Sequence, residues 1–120
     1  MELYLNGIVD GTVVSVENNN QLPIDFKLFQ NFPNPFNPTT NIKYEIPHID
    51  INGEKTNQKV KLSIYDTLGN EVAILVNEIQ KPGFYNYSFS SKHYSLSSGV
   101  YFYKLQIGKY SEVKKMILMK

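Results

Sequence analysis

The 120-residue sequence predicts an all-β fold, an immunoglobulin-like antiparallel β-sandwich of about seven strands. Three observations carry that expectation. Short runs alternate apolar and polar side chains with period two, as in Ile42, Tyr44 and Ile46 against Lys43 and Glu45. Gly and Pro turn signals separate the runs roughly every 8–16 residues. The chain carries 9 tyrosines and 7 phenylalanines, residue types that favour strands, and shows no sustained helical period. Tryptophan and cysteine are absent, so the Cys…Trp…Cys hallmark of antibody-type domains is missing.

The elements follow in order. Residues 1–16 hold one strand-like run, Thr12 to Val16, after the turn Asp10-Gly11. Residues 17–25, ENNNQLPID, are polar and read as a linker. Residues 29–38, FQNFPNPFNP, cannot be a helix or a central strand. Proline lacks an N–H and pushes the residue before it, here Phe32, Asn34 and Asn37, into extended conformation. The segment is too apolar for a solvated tether, so Phe29, Phe32 and Phe36 are expected to anchor it on a core. Asn34 and Asn37 are expected to close local Asx turns.

Strand runs follow at NIKYEI (41–46), VKLSIYD (60–66), EVAILV (71–76), FYNYSFS (84–90), VYFYKLQI (100–107) and 110–120. The polar loop 48–59 contains Asn52-Gly53, a type I′ hairpin signal that predicts a short two-stranded excursion. Residues 66–70 form a turn in which Asp66 caps the backbone and Gly69 supplies the positive φ. Lys81-Pro82-Gly83 is another turn, and Gly108-Lys109 a two-residue hairpin turn. In the final run Val113 and Met116 have opposite parity, which predicts a bulge near Lys114-Lys115.

A net charge of +1 and pI near 7.9 give no basic footprint for nucleic acid. Without cysteine there is no thiol chemistry, disulfide framework or cysteine-held zinc. No apolar run reaches the length of a membrane span. The start of the sequence lacks the form of a secretory signal; if the protein is exported, the sequence is expected to be a C-terminal piece or to lack its true start. His48 and His93 fall in loops far apart, and solvation explains them. Asp50, Asn52 and Glu54 lack the further ligands of a calcium loop. The serines at 88–98 sit in no nucleophile elbow, and no phosphate loop is present. Neither an enzyme nor a cofactor or metal site is expected. Alternating tyrosines read as core before they read as a sugar platform, and the terminal lysines as protection of an edge strand.

Four stretches together resemble a known family: FQNFPNPFNPTTNIKYEIP (29–47), VKLSIYDTLGNEVAILVNE (60–78), KPGFYNYSF (81–89) and LSSGVYFYKLQIGKYSEVKKMILMK (96–120). In this order they are similar to the type A C-terminal sorting domain of proteins exported by the type IX secretion system of Gram-negative bacteria. The resemblance covers nearly all of 29–120. It implies a non-catalytic address: an N-terminal cargo crosses the inner membrane by a Sec signal, and the sorting domain is recognised by the outer-membrane translocon. A sortase-like cysteine peptidase then commonly removes the domain, leaving cargo on the cell surface or in the medium. The implied recognition residues are Gly99, Tyr101, Tyr103, Gly108, Lys114, Lys115, Met116, Ile117, Leu118, Met119 and Lys120. The implied lead-in motif is Phe32, Pro33, Asn34, Pro35, Phe36, Asn37 and Pro38.

On this reading 1–16 is a remnant strand of a preceding cargo domain, 17–28 the linker where processing occurs, and 29–120 the sorting domain. The loop 48–59 is longer than the family's usual connection. A last strand with an open main-chain edge is expected to be read by strand addition. Two alternatives stand beside it. The YDTLGNEV hairpin is similar to one in flagellar hook-capping proteins, which points to a passive immunoglobulin-like module; the KKMILMK ending argues against an internal spacer. A carbohydrate-binding module requires exposed, coplanar tyrosines among Tyr85, Tyr87, Tyr101 and Tyr103.

Overall fold

Alternation builds the first sheet. In β2 (Thr39–Ile46), Ile42, Tyr44 and Ile46 are buried on one face while Lys43 is exposed on the other. β2 pairs antiparallel with β1 (Lys27–Leu28) on one side and β7 (Gly83–Ser90) on the other, in the order β1-β2-β7. The computed structural model describes residues 22–48, 50–51, 54–55 and 57–120.

The second sheet has four antiparallel strands. β5 (Gln58–Tyr65) lies between β6 (Glu71–Gln80) and β8 (Gly99–Ile107), and β8 pairs with β9 (Tyr110–Leu118) at the far edge. A separate two-residue ribbon, β3 (Asp50–Ile51) with β4 (Glu54–Lys55), is the expected excursion. Its Asn52-Gly53 turn lies outside the described residues, as do the Asp50, Asn52 and Glu54 side chains and the run Thr12–Val16. One 3-10 turn, Ser91–His93, links β7 towards β8, and no α-helix occurs among the described residues.

The inner faces of the two sheets share one core. Ile42, Tyr44 and Phe89 from the first sheet join Leu62, Ile64, Tyr103, Leu105 and Met116 from the second in a single buried cluster. Each such side chain contributes roughly 1.5–3 kcal/mol by leaving water. The fold is therefore the expected all-β sandwich, with three strands facing four.

The turns hold as anticipated. The Asp66 carboxylate accepts the amides of Leu68 and Asn70, both at 2.9 Å. The Asn70 amide does most to hold that carboxyl below the usual carboxylate range. Gly69 sits at φ +88° in this turn and Gly108 at φ +56° between the paired residues Ile107 and Tyr110. Both angles are strained for any residue with a Cβ.

The expected bulge at Lys114-Lys115 does not form. Tyr103 faces Lys114 and Tyr101 faces Met116 in an unbroken register. Met116 and Leu118 fix the parity by entering the core, so Val113 turns outward and remains 52% exposed. The register shifts fall instead between β5 and β6, at Leu62/Ser63 and Ile64/Tyr65.

Candidate functional site

The lead-in segment and the last strand, far apart in sequence, form one structure. Phe26 stacks on Tyr110 with ring centroids 4.8 Å apart. The Leu28 amide helps to hold the Glu112 carboxyl below its usual range. Gln30 Nε2 donates to the Lys115 carbonyl at 2.7 Å. The Ile117 amide donates to Asn34 Oδ1 at 2.9 Å. Phe36 donates its amide to the Ile117 carbonyl and accepts the Met119 amide, both at 2.9 Å. Residues 26–36 thus run parallel to β9 as a strap along its outer edge, with a parallel bridge between Phe36 and Leu118.

The chain straps itself down here because its polar groups find partners and its apolar side chains find the core. Phe36 is buried and packs edge-on against Phe89. Asn31 is buried: its Nδ2 donates to Thr40 Oγ1 and to the Pro33 carbonyl, and its amide donates to the Tyr103 hydroxyl at 2.8 Å. The Tyr103 hydroxyl in turn donates to the Phe29 carbonyl at 2.7 Å. Burial pushes that phenol up to about 12. The Pro38 carbonyl accepts the Ser91 amide. Phe32-Pro33, Asn34-Pro35 and Asn37-Pro38 are cis peptide bonds.

Three expectations change. Phe32 is no anchor; the residue is 78% exposed, and its main chain does the work by pairing with Asn41. Asn34 closes no local Asx turn; its side chain reaches Ile117 instead. The last strand does not offer an open edge over 115–119, because the strap already holds the outward carbonyl of Lys115, both outward groups of Ile117 and the amide of Met119. Among the described part of the 17–28 segment, Lys27–Leu28 forms β1 and Leu28 joins the core, so packing on the sandwich extends upstream of residue 29.

The remaining residues sort by face. Tyr101, Tyr103, Met116 and Leu118 point into the core. Ile117 lies opposite Val100, Lys115 opposite Phe102 and Val113 opposite Lys104, all on the outer face of the four-stranded sheet. Met119 is 58% exposed, and the Lys120 amide donates to Ser98 Oγ. Lys114 is half-buried and 3.4 Å from Glu112. The Tyr110 hydroxyl, also bonded to Glu112, is the main cause that holds this carboxyl low; Lys114 and the Leu28 amide add to it. Gly99 opens β8 at φ +152°. Pro33, Asn34, Pro35 and Asn37 are exposed, and Pro38 half-buried.

Sequence reasoning missed Gln30, Asn31, Thr40 and Ser98 as partners in this assembly. The only signal for Asn31 was an uncharged polar residue between two phenylalanines. These four tyrosines give no sugar platform: Tyr101 and Tyr103 are buried, and Tyr85 and Tyr87 pack against the core. No group of three acidic, histidine or cysteine side chains able to hold a metal occurs among the described residues, and no helix there is long and apolar enough to cross a membrane.

Among known families, the one described as the secretion system C-terminal sorting domain matches residues 30–119. No curated protein and no solved structure matches the chain. The matched span begins within the strap and runs through β9, so it contains the pairing of Gln30, Asn34 and Phe36 with residues 115–119. The chain belongs to the family of secretion system C-terminal sorting domains, the type IX signals that send an N-terminal cargo to the cell surface or the medium.

Proposed function

We propose that the type IX translocon reads a composite surface made by the outer face of the terminal strands and the strap beside them. The observation that carries this reading is the hydrogen bonding of Gln30, Asn34 and Phe36 to residues 115–119. It joins the two most distinctive motifs of the chain into one rigid ending. The side chains of Val100, Phe102, Val113, Lys115, Ile117 and Met119 supply the contacts, and the main-chain edge beside them is closed by the strap. An apolar patch dotted with lysines suits a partner surface with apolar residues and carboxylates.

After export, a sortase-like peptidase cuts the connector upstream of Phe26, because a cut within 26–28 would tear a strand and a core residue from the sandwich. The domain itself catalyses nothing. It acts as address and leaves the cargo free or surface-attached.

A transplant tests this. Residues 17–120 are fused behind a Sec signal and a fluorescent reporter, and expressed in a host with a working type IX system and in its translocon-deficient sibling. Reporter outside the first host alone is expected, with an intact mass that places the cut between residues 17 and 25. Retention of folded fusion in the periplasm of both hosts would leave a passive immunoglobulin-like module.

A further inference from the structure

The sandwich has two open sides, and the strap closes one of them. On the other side lie β6 and β7, each hydrogen bonded to a single neighbour, β5 and β2. Antiparallel strands send alternate residues to alternate sides. The pair Ile107 and Tyr110 closes the β8–β9 hairpin, so the even residues of β8 bond β5, and Val60 and Leu62 bond β6 through Glu78 and Val76. Asn77 and Ile79 therefore direct their amides and carbonyls away from the sheet. Among the described residues nothing pairs with them.

Natural edges are usually blunted by bulges, lysine, proline or shortness. The register shifts disturb the ladder only opposite Glu71–Leu75; from Val76 to Gln80 it is regular. That half of β6 has no lysine and no proline. Beside it a cleft of about 290 Å³ opens between β6 and β7, lined by Leu75, Val76 and Glu78 on one wall and Tyr44, Tyr85 and Tyr87 on the other. Among the described residues no lysine or arginine lines it. Gln80 donates to the Glu78 carboxylate at 3.0 Å but brings no positive charge.

We propose that the Val76–Gln80 edge of β6 is a second docking site, which accepts an extended strand of a partner protein by main-chain pairing at Asn77 and Ile79. The unpaired groups are main-chain amides and carbonyls in register, so the occupant is a β-strand. Among the described residues no cation pairs with Glu78 in the cleft, so the strand carries lysine or arginine opposite it, with apolar residues two positions to either side, on the same face, against Val76 and the tyrosine wall. This site lies on the side of the sandwich away from the strap and is independent of the sorting surface.

The test uses the full 120-residue chain and two synthetic octapeptides of valine and threonine that differ at one central position, lysine in one and glutamate in the other. Residue-resolved amide exchange is followed by NMR. The lysine peptide is expected to slow exchange at Asn77 and Ile79 by about tenfold or more, and the glutamate peptide to leave it unchanged. Ile79→Pro removes an outward amide that the sheet itself does not use, so the variant is expected to keep its melting temperature and lose the protection. Protection by both peptides, or at β7 in place of β6, would overturn the proposal. So would slow exchange at Asn77 and Ile79 in the free chain: if it depends on concentration a second copy covers the edge, and if not the chain's own upstream residues do.

Discussion

Asn34 Oδ1 accepts the main-chain amide of Ile117 at 2.9 Å, across 83 positions of sequence. A side chain here takes the place that a neighbouring strand would fill. It explains how Asn34 serves in a segment with no strand of its own: the asparagine side chain supplies the acceptor that a strand would otherwise bring. Asn34→Ala leaves that amide to water and is expected to cost about 0.5–1.5 kcal/mol. Asn34→Asp keeps an acceptor and is expected to cost less. Urea denaturation of the two variants checks the order; equal losses would mean that the bond holds nothing.

Phe32 and Phe36, both expected to anchor the lead-in, separate cleanly. Phe36 is 2% exposed and meets Phe89 at 6.0 Å between centroids. Phe36→Ala is expected to destabilise by roughly 3–5 kcal/mol through the cavity it leaves. Phe32→Ala, on an exposed ring, is expected to shift stability by about 0.5 kcal/mol or less. Calorimetry of both variants measures the split. If Phe32→Ala impairs export of a reporter without loss of stability, that ring belongs to the recognition surface.

What the sequence revealed, and what it hid, divides along physical lines. The inner face of β8, Tyr101, Tyr103, Leu105 and Ile107, was legible because period two is how a half-buried strand shows itself. β9 misled because its first half breaks that rule. Glu112 and Lys114 take inward-facing positions at an edge strand, pair with each other under the strap and so need no bulge to expel them. The strap itself was legible as an extended apolar segment, but its docking was not. Main-chain bonds from Phe36 and amide side chains such as Asn31 leave no periodic trace, and nothing local links Asn34 to Ile117. The open edge of β6 was hidden for the same reason: strand order across two sheets is set by long-range packing.

Alkaline pH should loosen the domain through two phenols. Burial is the main cause that pushes Tyr44 and Tyr103 up to about 12 in the folded chain. Both folded values lie above the unfolded one, near 10. The stabilisation is therefore complete below pH 10 and is lost as pH rises towards 12. Two units correspond to roughly 2–3 kcal/mol for each group. Tyr103→Phe removes its share of this pH dependence, and also removes the acceptor of the Asn31 amide, at about 1–3 kcal/mol near neutrality. Urea midpoints from pH 8 to 12 for the parent and for Tyr44→Phe and Tyr103→Phe test this. A parallel pH profile in all three chains would refute it.

Acid acts on the edge of β9. Glu112 is held below its ordinary value first by the Tyr110 hydroxyl, then by Lys114 and the Leu28 amide. A depressed carboxyl contributes stability above its unfolded value, near 4.5, and loses it as pH falls further. Glu112→Gln is expected to flatten the loss of stability below pH 4.5. Because the amide of Leu28 helps to hold Glu112 low, the protection of that amide against hydrogen exchange, relative to its intrinsic rate at each pH, should fall in the same window. Unchanged protection there would detach the strap from Glu112.

Recognition by side chains and completion of the fold can be separated at two adjacent residues. Leu118 is fully buried, so Leu118→Asp is expected to unfold the domain and abolish export by that route. Ile117 lies opposite Val100 on the outer face, and the strap binds its main chain rather than its side chain. Ile117→Asp should therefore keep the circular dichroism spectrum and most of the stability, while it places a carboxylate in the middle of the apolar patch that the translocon is proposed to read. Loss of export from a folded Ile117→Asp fusion is the expected result, and Ile117→Val should restore it. Full export of the folded Asp variant would show that the outer face is not read, and would shift the address to the strap, where the exposed Phe32 and Asn34 are the next positions to change.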